Sequence, residues 1–207
     1  MASSREFEKL IATLKLTVAT LRERAVPFAL GGSLAAWARG GPVTQNDLDL
    51  MIKPDDAQAA LAALADAGMR PERPPEEWLY KAWHEDVLVD LIFRPSGLEI
   101  TNQVLERADV IPVAAVATPV LALEDVLVTM LCAIDEHTLD YSRLVAIVRS
   151  LREQIDWGSL RARTGASAYA RAFFTLVEGL GIAPPTTGRG ARGGPSRVRV
   201  LHSGGWG

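Results

Sequence analysis

Apolar residues recur at helical spacing along the first part of the chain. Phe7, Leu10, Ile11, Leu14, Val18 and Leu21 form one stripe, which predicts a helix over residues 4–25. Ser3 and Glu6 stand where a capping box would satisfy its first N–H groups. Pro27 breaks the pattern. Phe28, Ala29 and Leu30 read as a short buried strand, ended by Gly31 and Gly32, and a short helix over 33–39 closes at Gly40 and Gly41. Residues 47–52 then alternate acidic with apolar, a strand with two unlike faces. Pro54, Asp55 and Asp56 open another helix, with acids at its positive end and an apolar stripe at Ala57, Ala60, Leu61 and Leu64.

Residues 79–84 and 87–93 read as a hairpin turning at Glu85 and Asp86. In that register Lys81 sits directly opposite Asp90. A further short strand is expected within 110–117. Thr118 and Pro119 make a helix entry, threonine as cap and proline in the first turn. Helical segments follow near 120–134, 138–153 and 167–180, with stripes such as Leu144, Ile147, Val148 and Leu151. The pattern therefore divides the chain into an α/β unit over 1–118, a helical C-terminal subdomain over 119–181, and a tail over 182–207.

The tail differs in composition. It holds seven glycines, three prolines, four arginines (Arg189, Arg192, Arg197, Arg199) and no acid. Such a segment has little to bury and is expected to be disordered, as a loose terminus or as an arginine arm for RNA or a partner. Without those four arginines, 18 basic residues face 25 acidic ones, so the body is acidic within a net charge of −3. The surface as a whole does not advertise nucleic-acid binding.

With 207 residues, 48% hydrophobic and 23% charged, the chain reads as an ordinary globular protein. The single cysteine, Cys132, excludes an intramolecular disulfide and a cysteine-rich zinc site. The three histidines lack ligand spacing. Arg5, Glu6, Glu8, Lys9 and Lys15 interrupt any signal-like apolar stretch, and the longest uncharged run, between Asp109 and Glu124, is too short to span a bilayer. A cytoplasmic protein without membrane contact is expected.

The chemistry concentrates in Gly31-Gly32-Ser33 and, thirteen residues later, Asp47-Leu48-Asp49-Leu50. Glycines at a strand-to-helix turn let backbone approach a ligand, and the N–H groups and serine hydroxyl there suit a triphosphate. Asp47 and Asp49 share one strand face. Two such carboxylates repel unless a divalent cation such as Mg²⁺ lies between them. Asp90, alone among apolar residues in 87–93, needs a partner or a metal. Lys81 opposite it serves either as an NTP phosphate ligand or as the partner in a structural ion pair.

Gly32-Ser33, the spacing, Asp47-x-Asp49 and the later strand residue Asp90 resemble the signature of the DNA polymerase β superfamily of nucleotidyltransferases, over residues 26–95. The helical continuation resembles small bacterial members, antibiotic nucleotidyltransferases among them. The resemblance implies an α/β (α+β) fold: a mixed sheet with helices on one face, the active site on the other, and a C-terminal helical subdomain. It implies Asp47, Asp49 and Asp90 as catalytic residues and ligands of one or two Mg²⁺ ions, with Asp90 also a base for the attacking hydroxyl. Gly32, Ser33 and Lys81 are the nucleotide-binding candidates.

The expected reaction moves a nucleoside monophosphate from an NTP, ATP included, to a hydroxyl acceptor: a small molecule, an RNA end or a protein. Toxins of toxin–antitoxin pairs share the fold and act on RNA or protein, which brings an antitoxin-like partner into view. A catalytically idle nucleotide- or partner-binding module is the alternative from another class. One departure stands out. Antibiotic-modifying members often carry a basic residue after the threonine that precedes their acids, whereas Thr44 is followed here by Gln45 and Asn46. Trp37, Trp78 and Trp83 are candidates for base stacking or for the core, Arg39 for a phosphate contact or a solvated helix end, and His137 for a cap.

Overall fold

A computed structural model describes residues 4–43 and 47–185. Ser3 of the expected capping box, residues 44–46 and, within the expected tail, residues 186–207 with its four arginines lie outside the described residues.

The chain opens with helix α1 (Ser4–Glu23), then β1 (Phe28–Leu30), α2 (Gly32–Ala38) and β2 (Leu48–Ile52). A 3-10 turn over Pro54–Asp56 leads into α3 (Ala57–Asp66). The strands β3 (Arg70–Glu72), β4 (Leu79–His84) and β5 (Val87–Ile92) follow, then α4 (Asn102–Glu106), β6 (Asp109–Val113) and β7 (Val116–Val120). Four helices complete the described chain: α5 (Leu123–Cys132), α6 (Ser142–Leu151), α7 (Trp157–Thr164) and α8 (Ala168–Gly179).

Seven strands form one mixed sheet in the order β3-β4-β5-β2-β1-β7-β6. The β2·β5 and β1·β7 pairs are parallel and the other pairs antiparallel. The alternation read in the sequence governs β2. Leu48, Leu50 and Ile52 are fully buried on one face, in a core shared with Leu10, Leu14, Leu21, Leu61 and Leu64 of α1 and α3. Asp49 and Met51 consequently point to the other face. A second core joins α5–α8 to Ala36 of α2, so the helical part is mounted on the short helix that follows the glycine turn.

The hairpin register is as the sequence predicts, with Lys81 paired to Asp90 and His84 to Val87. The stretch before α5 differs. Residues 109–120 form a full hairpin, and Thr118 and Pro119 belong to β7 rather than to a helix entry. Proline is tolerated because β1 reaches β7 only at the Leu30–Val120 pair, so Pro119 interrupts no ladder there. The helix begins instead at Leu123, with Glu124 and Asp125 in its first turn.

Helix α7 has little amphipathic signal and was not apparent in the sequence. Its entry is fixed by Asp156, whose carboxylate accepts the Ser159 N–H at 2.9 Å. Nor does the structured chain stop at 181. Ile182 and Ala183 are buried against the second core, and Ile182 N–H donates to Val177 O at 2.9 Å to close α8. Among the described residues no helix is long and apolar enough to cross a membrane.

Candidate active site

The site grows from the turn between β1 and α2. The Gly31 N–H donates to the Asp49 carbonyl at 2.8 Å, which ties the turn to β2. Gly32 has a φ of +57°, and a Cβ on it would collide with the Asp49 carboxylate. Only glycine serves both the backbone angle and the approach. Ser33 follows, buried in the first turn of α2.

The parallel pairing of β2 and β5 sets Asp49 beside Asp90. Both face the side opposite Leu48 and Leu50. Burial, then the charges of Asp90 and Asp47, push the Asp49 carboxyl up to about 7, while Arg143 of α6 pulls it down. Burial likewise raises Asp90 to about 6. Lys81 lowers it, and Asp47 and Glu72 raise it. Asp47 is exposed just before the strand, and its charge reaches both of these half-buried acids.

Cross-strand pairing extends this line to Lys81 on β4 and Glu72 on β3. Asp49, Asp90, Lys81 and Glu72 thus form a transverse row of charge over four strands. Glu72 accepts the Trp83 indole N–H at 2.8 Å. The ion pair envisaged between Lys81 and Asp90 does not form: among the described residues Lys81 has no salt-bridge partner within 4.0 Å. Asp90 Oδ1 is buried without a hydrogen-bond partner among the described residues.

Two desolvated carboxylates side by side, one with an orphaned oxygen, are hard donors that a divalent ion would satisfy. No group of three or more His, Cys, Asp or Glu side chains gathers as a ready cage among the described residues. Asp49 and Asp90 are the close pair, and Asp47 lies exposed just before β2.

Other residues singled out in the sequence have settled roles. Arg39 donates to the Leu121 carbonyl at 3.0 Å and pairs with Asp109 at 2.8 Å, clasping α2 to the last hairpin rather than reaching toward a phosphate. Trp37 packs edge-on against Phe7. His137 is exposed and its backbone N–H donates to Asp135. Cys132 is half-buried against Gly97, and burial raises its thiol.

Two features were not legible in the sequence. One is Arg143, a helix-surface arginine by pattern, which the fold of α6 brings into electrostatic reach of Asp49. The other is a cleft of about 460 Å³ that runs from Gly32 and Asp49 past Met51 to Trp78, Arg94 and Met130.

No curated protein sequence matches the chain. Among solved structures, it is similar to the solution structure of the antibiotic-resistance factor ANT(2'')-Ia: TM-score 0.61 at 16% identity, covering 84% of this chain and 97% of that one. It is also similar to the crystal structure of ANT(2'')-Ia in complex with adenylyl-2''-tobramycin: TM-score 0.58 at 15% identity, covering 79% and 98%. At that identity the likeness shows the fold. The family model described as "Uncharacterised nucleotidyltransferase" matches residues 22–178, a span that contains the glycine turn, all three aspartates and the four C-terminal helices but for the last residue of α8. The chain belongs to that family of nucleotidyltransferases and is an enzyme of that class.

Proposed function

We propose that the protein transfers a nucleoside monophosphate from a Mg²⁺-bound NTP to a hydroxyl group, releasing pyrophosphate. The observation that carries this reading is the pairing of Asp49 with Asp90 on adjacent parallel strands, against the Gly32–Ser33 turn. Asp47, Asp49 and Asp90 would hold one or two Mg²⁺ ions. When bound, these neutralise charge on the phosphates and hold attacking and leaving oxygens in line.

The chain's own groups account for the remaining steps. Gly32 and Ser33 receive the triphosphate where backbone can approach closely. Lys81, which lacks a salt-bridge partner among the described residues, supplies a positive charge for a phosphate. The acceptor oxygen attacks the α-phosphorus, the bond to the bridging α–β oxygen breaks, and pyrophosphate leaves. The acceptor's proton passes to the Asp90 carboxylate, which stands beside Asp49 on the adjacent strand.

The test incubates the full chain with Mg²⁺, each labelled NTP and a cell lysate, beginning with ATP. It asks for pyrophosphate release and a labelled acceptor. Release that needs Mg²⁺ and disappears in Asp49→Asn is the expected result. A parent protein that neither binds nor turns over any NTP with Mg²⁺ overturns the proposal.

A further inference from the structure

Four tryptophans lie among the described residues, and three have evident structural partners. Trp37 packs on Phe7, the Trp83 indole donates to Glu72, and the Trp157 indole donates to the Arg152 carbonyl at 3.2 Å. Trp78 is different. It is 43% exposed, and among the described residues its ring has no aromatic or cation–π partner and its indole N–H no acceptor. An indole carries a large apolar face that water solvates poorly, so a ring left open in a cleft is a ready stacking surface.

Its mounting is firm. The Trp78 carbonyl accepts the Phe93 N–H at 3.0 Å and the Arg94 N–H at 3.2 Å, and the Arg94 guanidinium donates to the neighbouring Glu77 carbonyl at 3.3 Å. The Trp78 backbone is thereby fixed at the end of the β4–β5 pair.

Position assigns the ligand. The cleft touches Gly32 and Asp49 at one end and Trp78 and Arg94 at the other, with Met51 and Ile92 as its floor. Met51 and Ile92 pair two residues beyond Asp49 and Asp90, and Trp78 precedes Leu79, the β4 partner of Ile92. Trp78 therefore stands roughly 10 Å along the strands from the acid row. That separation suits a sugar and a base whose phosphates lie at Asp49. Asp90 and Lys81 do not line the cleft, which leaves their side of the row for the other reactant.

Building on the nucleotidyl-transfer reading, we infer that this cleft is the nucleoside subsite, in which the base of the NTP stacks on Trp78 and the acceptor approaches from the Asp90–Lys81 side. Stacking accepts every base, and a bicyclic purine covers more of the indole than a pyrimidine does. The site therefore favours purine NTPs.

The experiment compares the full-length parent, Trp78→Ala and Trp78→Phe by calorimetric titration with ATP, CTP and inorganic tripolyphosphate, all with Mg²⁺. In Trp78→Ala the ATP affinity is expected to fall about tenfold, within the range for loss of one base–aromatic stack. CTP should fall less, and tripolyphosphate should bind as to the parent. Trp78→Phe should recover most of the ATP affinity. As a second readout, ATP should quench the tryptophan fluorescence of the parent and not that of Trp78→Phe. ATP binding unchanged in Trp78→Ala, or an equal loss for ATP and tripolyphosphate, overturns the subsite. A parent that binds neither nucleotide nor tripolyphosphate sinks the functional reading beneath it as well.

Discussion

Gly32 is pressed against the Asp49 carboxylate, with its backbone in the left-handed region at φ +57°. The turn that would receive a triphosphate and the strand acid that would hold a metal are thus in direct contact. Gly32→Ala should disturb both. The left-handed angle costs an L-residue roughly 1–2 kcal/mol, and the new methyl group would displace the Asp49 side chain. The expected outcome is a lower melting temperature together with near-complete loss of transferase activity. A variant with parental activity would show that neither the turn nor the Asp49 position matters to catalysis.

Asp49→Asn should separate stability from function. Burial beside Asp90 and Asp47 disfavours the Asp49 charge, so the neutral isostere should fold at least as stably, and thermal denaturation should show an unchanged or raised midpoint. Activity should fall a hundredfold or more as the phosphates lose their cation. The rise in midpoint that Mg²⁺ with ATP gives the parent should shrink in the variant. A large loss of stability in Asp49→Asn would mean that its carboxylate is a structural hydrogen-bond acceptor instead.

Lys81→Met offers a similar separation on β4. Lys81 makes no salt bridge with Asp90, so its removal should leave the melting temperature within a degree or two. Affinity for the NTP should drop severalfold through the lost charge on a phosphate. The two effects are read by thermal denaturation and by KM for the NTP. A marked destabilisation with unchanged KM would restore the ion-pair role.

Local pattern carried much of this fold into view. The β2 alternation, the glycine turn and the hairpin register are short-range features, and each places its residues as the sequence predicts: Asp49 opposite the Leu48 and Leu50 face, Lys81 across from Asp90. Pattern failed where a competing local signal or an assembled surface decided the outcome. Thr118-Pro119 has the chemistry of a helix entry, but the partners that hold it in a strand, Ile111 and Val110, lie on β6. Ile182 reads as the start of a tail because the surface that buries it is assembled from α8 and the second core. Arg143 and Trp78 look like ordinary surface and aromatic residues until the fold sets them at the site.

The β6–β7 hairpin holds a test of local strain. Val113 pairs with Val116, leaving a two-residue turn in which Ala114 and Ala115 have φ of 47° and 68°. Such turns favour glycine or asparagine. Ala115→Gly should stabilise the protein by about 1 kcal/mol, the relief of left-handed strain less the added freedom of the unfolded chain. Chemical denaturation should show a higher midpoint with an unchanged slope. A lower midpoint would mean that the alanine methyl packs well enough to outweigh its angle.

Acid sensitivity should centre on Asp125. Its side chain is wholly buried, accepting from Arg107 Nε and Nη2 at 2.8 and 2.9 Å and also from Arg163, so that it joins α4's end to α5 and α7. Burial alone would raise its pKa. The hydrogen bonds and charges of the two arginines outweigh burial and hold it below the ordinary 3.8. The folded state therefore binds this proton less tightly than the unfolded state does. The stabilisation is complete above about pH 5 and is lost as pH falls through 3.8 toward the depressed folded value. Asp125→Asn should cost about 2–3 kcal/mol at neutral pH. That is less than the roughly 3–5 kcal/mol expected when the surviving charge stays buried, because Arg107 and Arg163 are partly exposed and can turn to water. Urea denaturation of parent and variant across pH 3 to 7 checks both points. The two stabilities should converge toward acid, and a gap that stays constant with pH would show that shape, and not charge, makes Asp125 important.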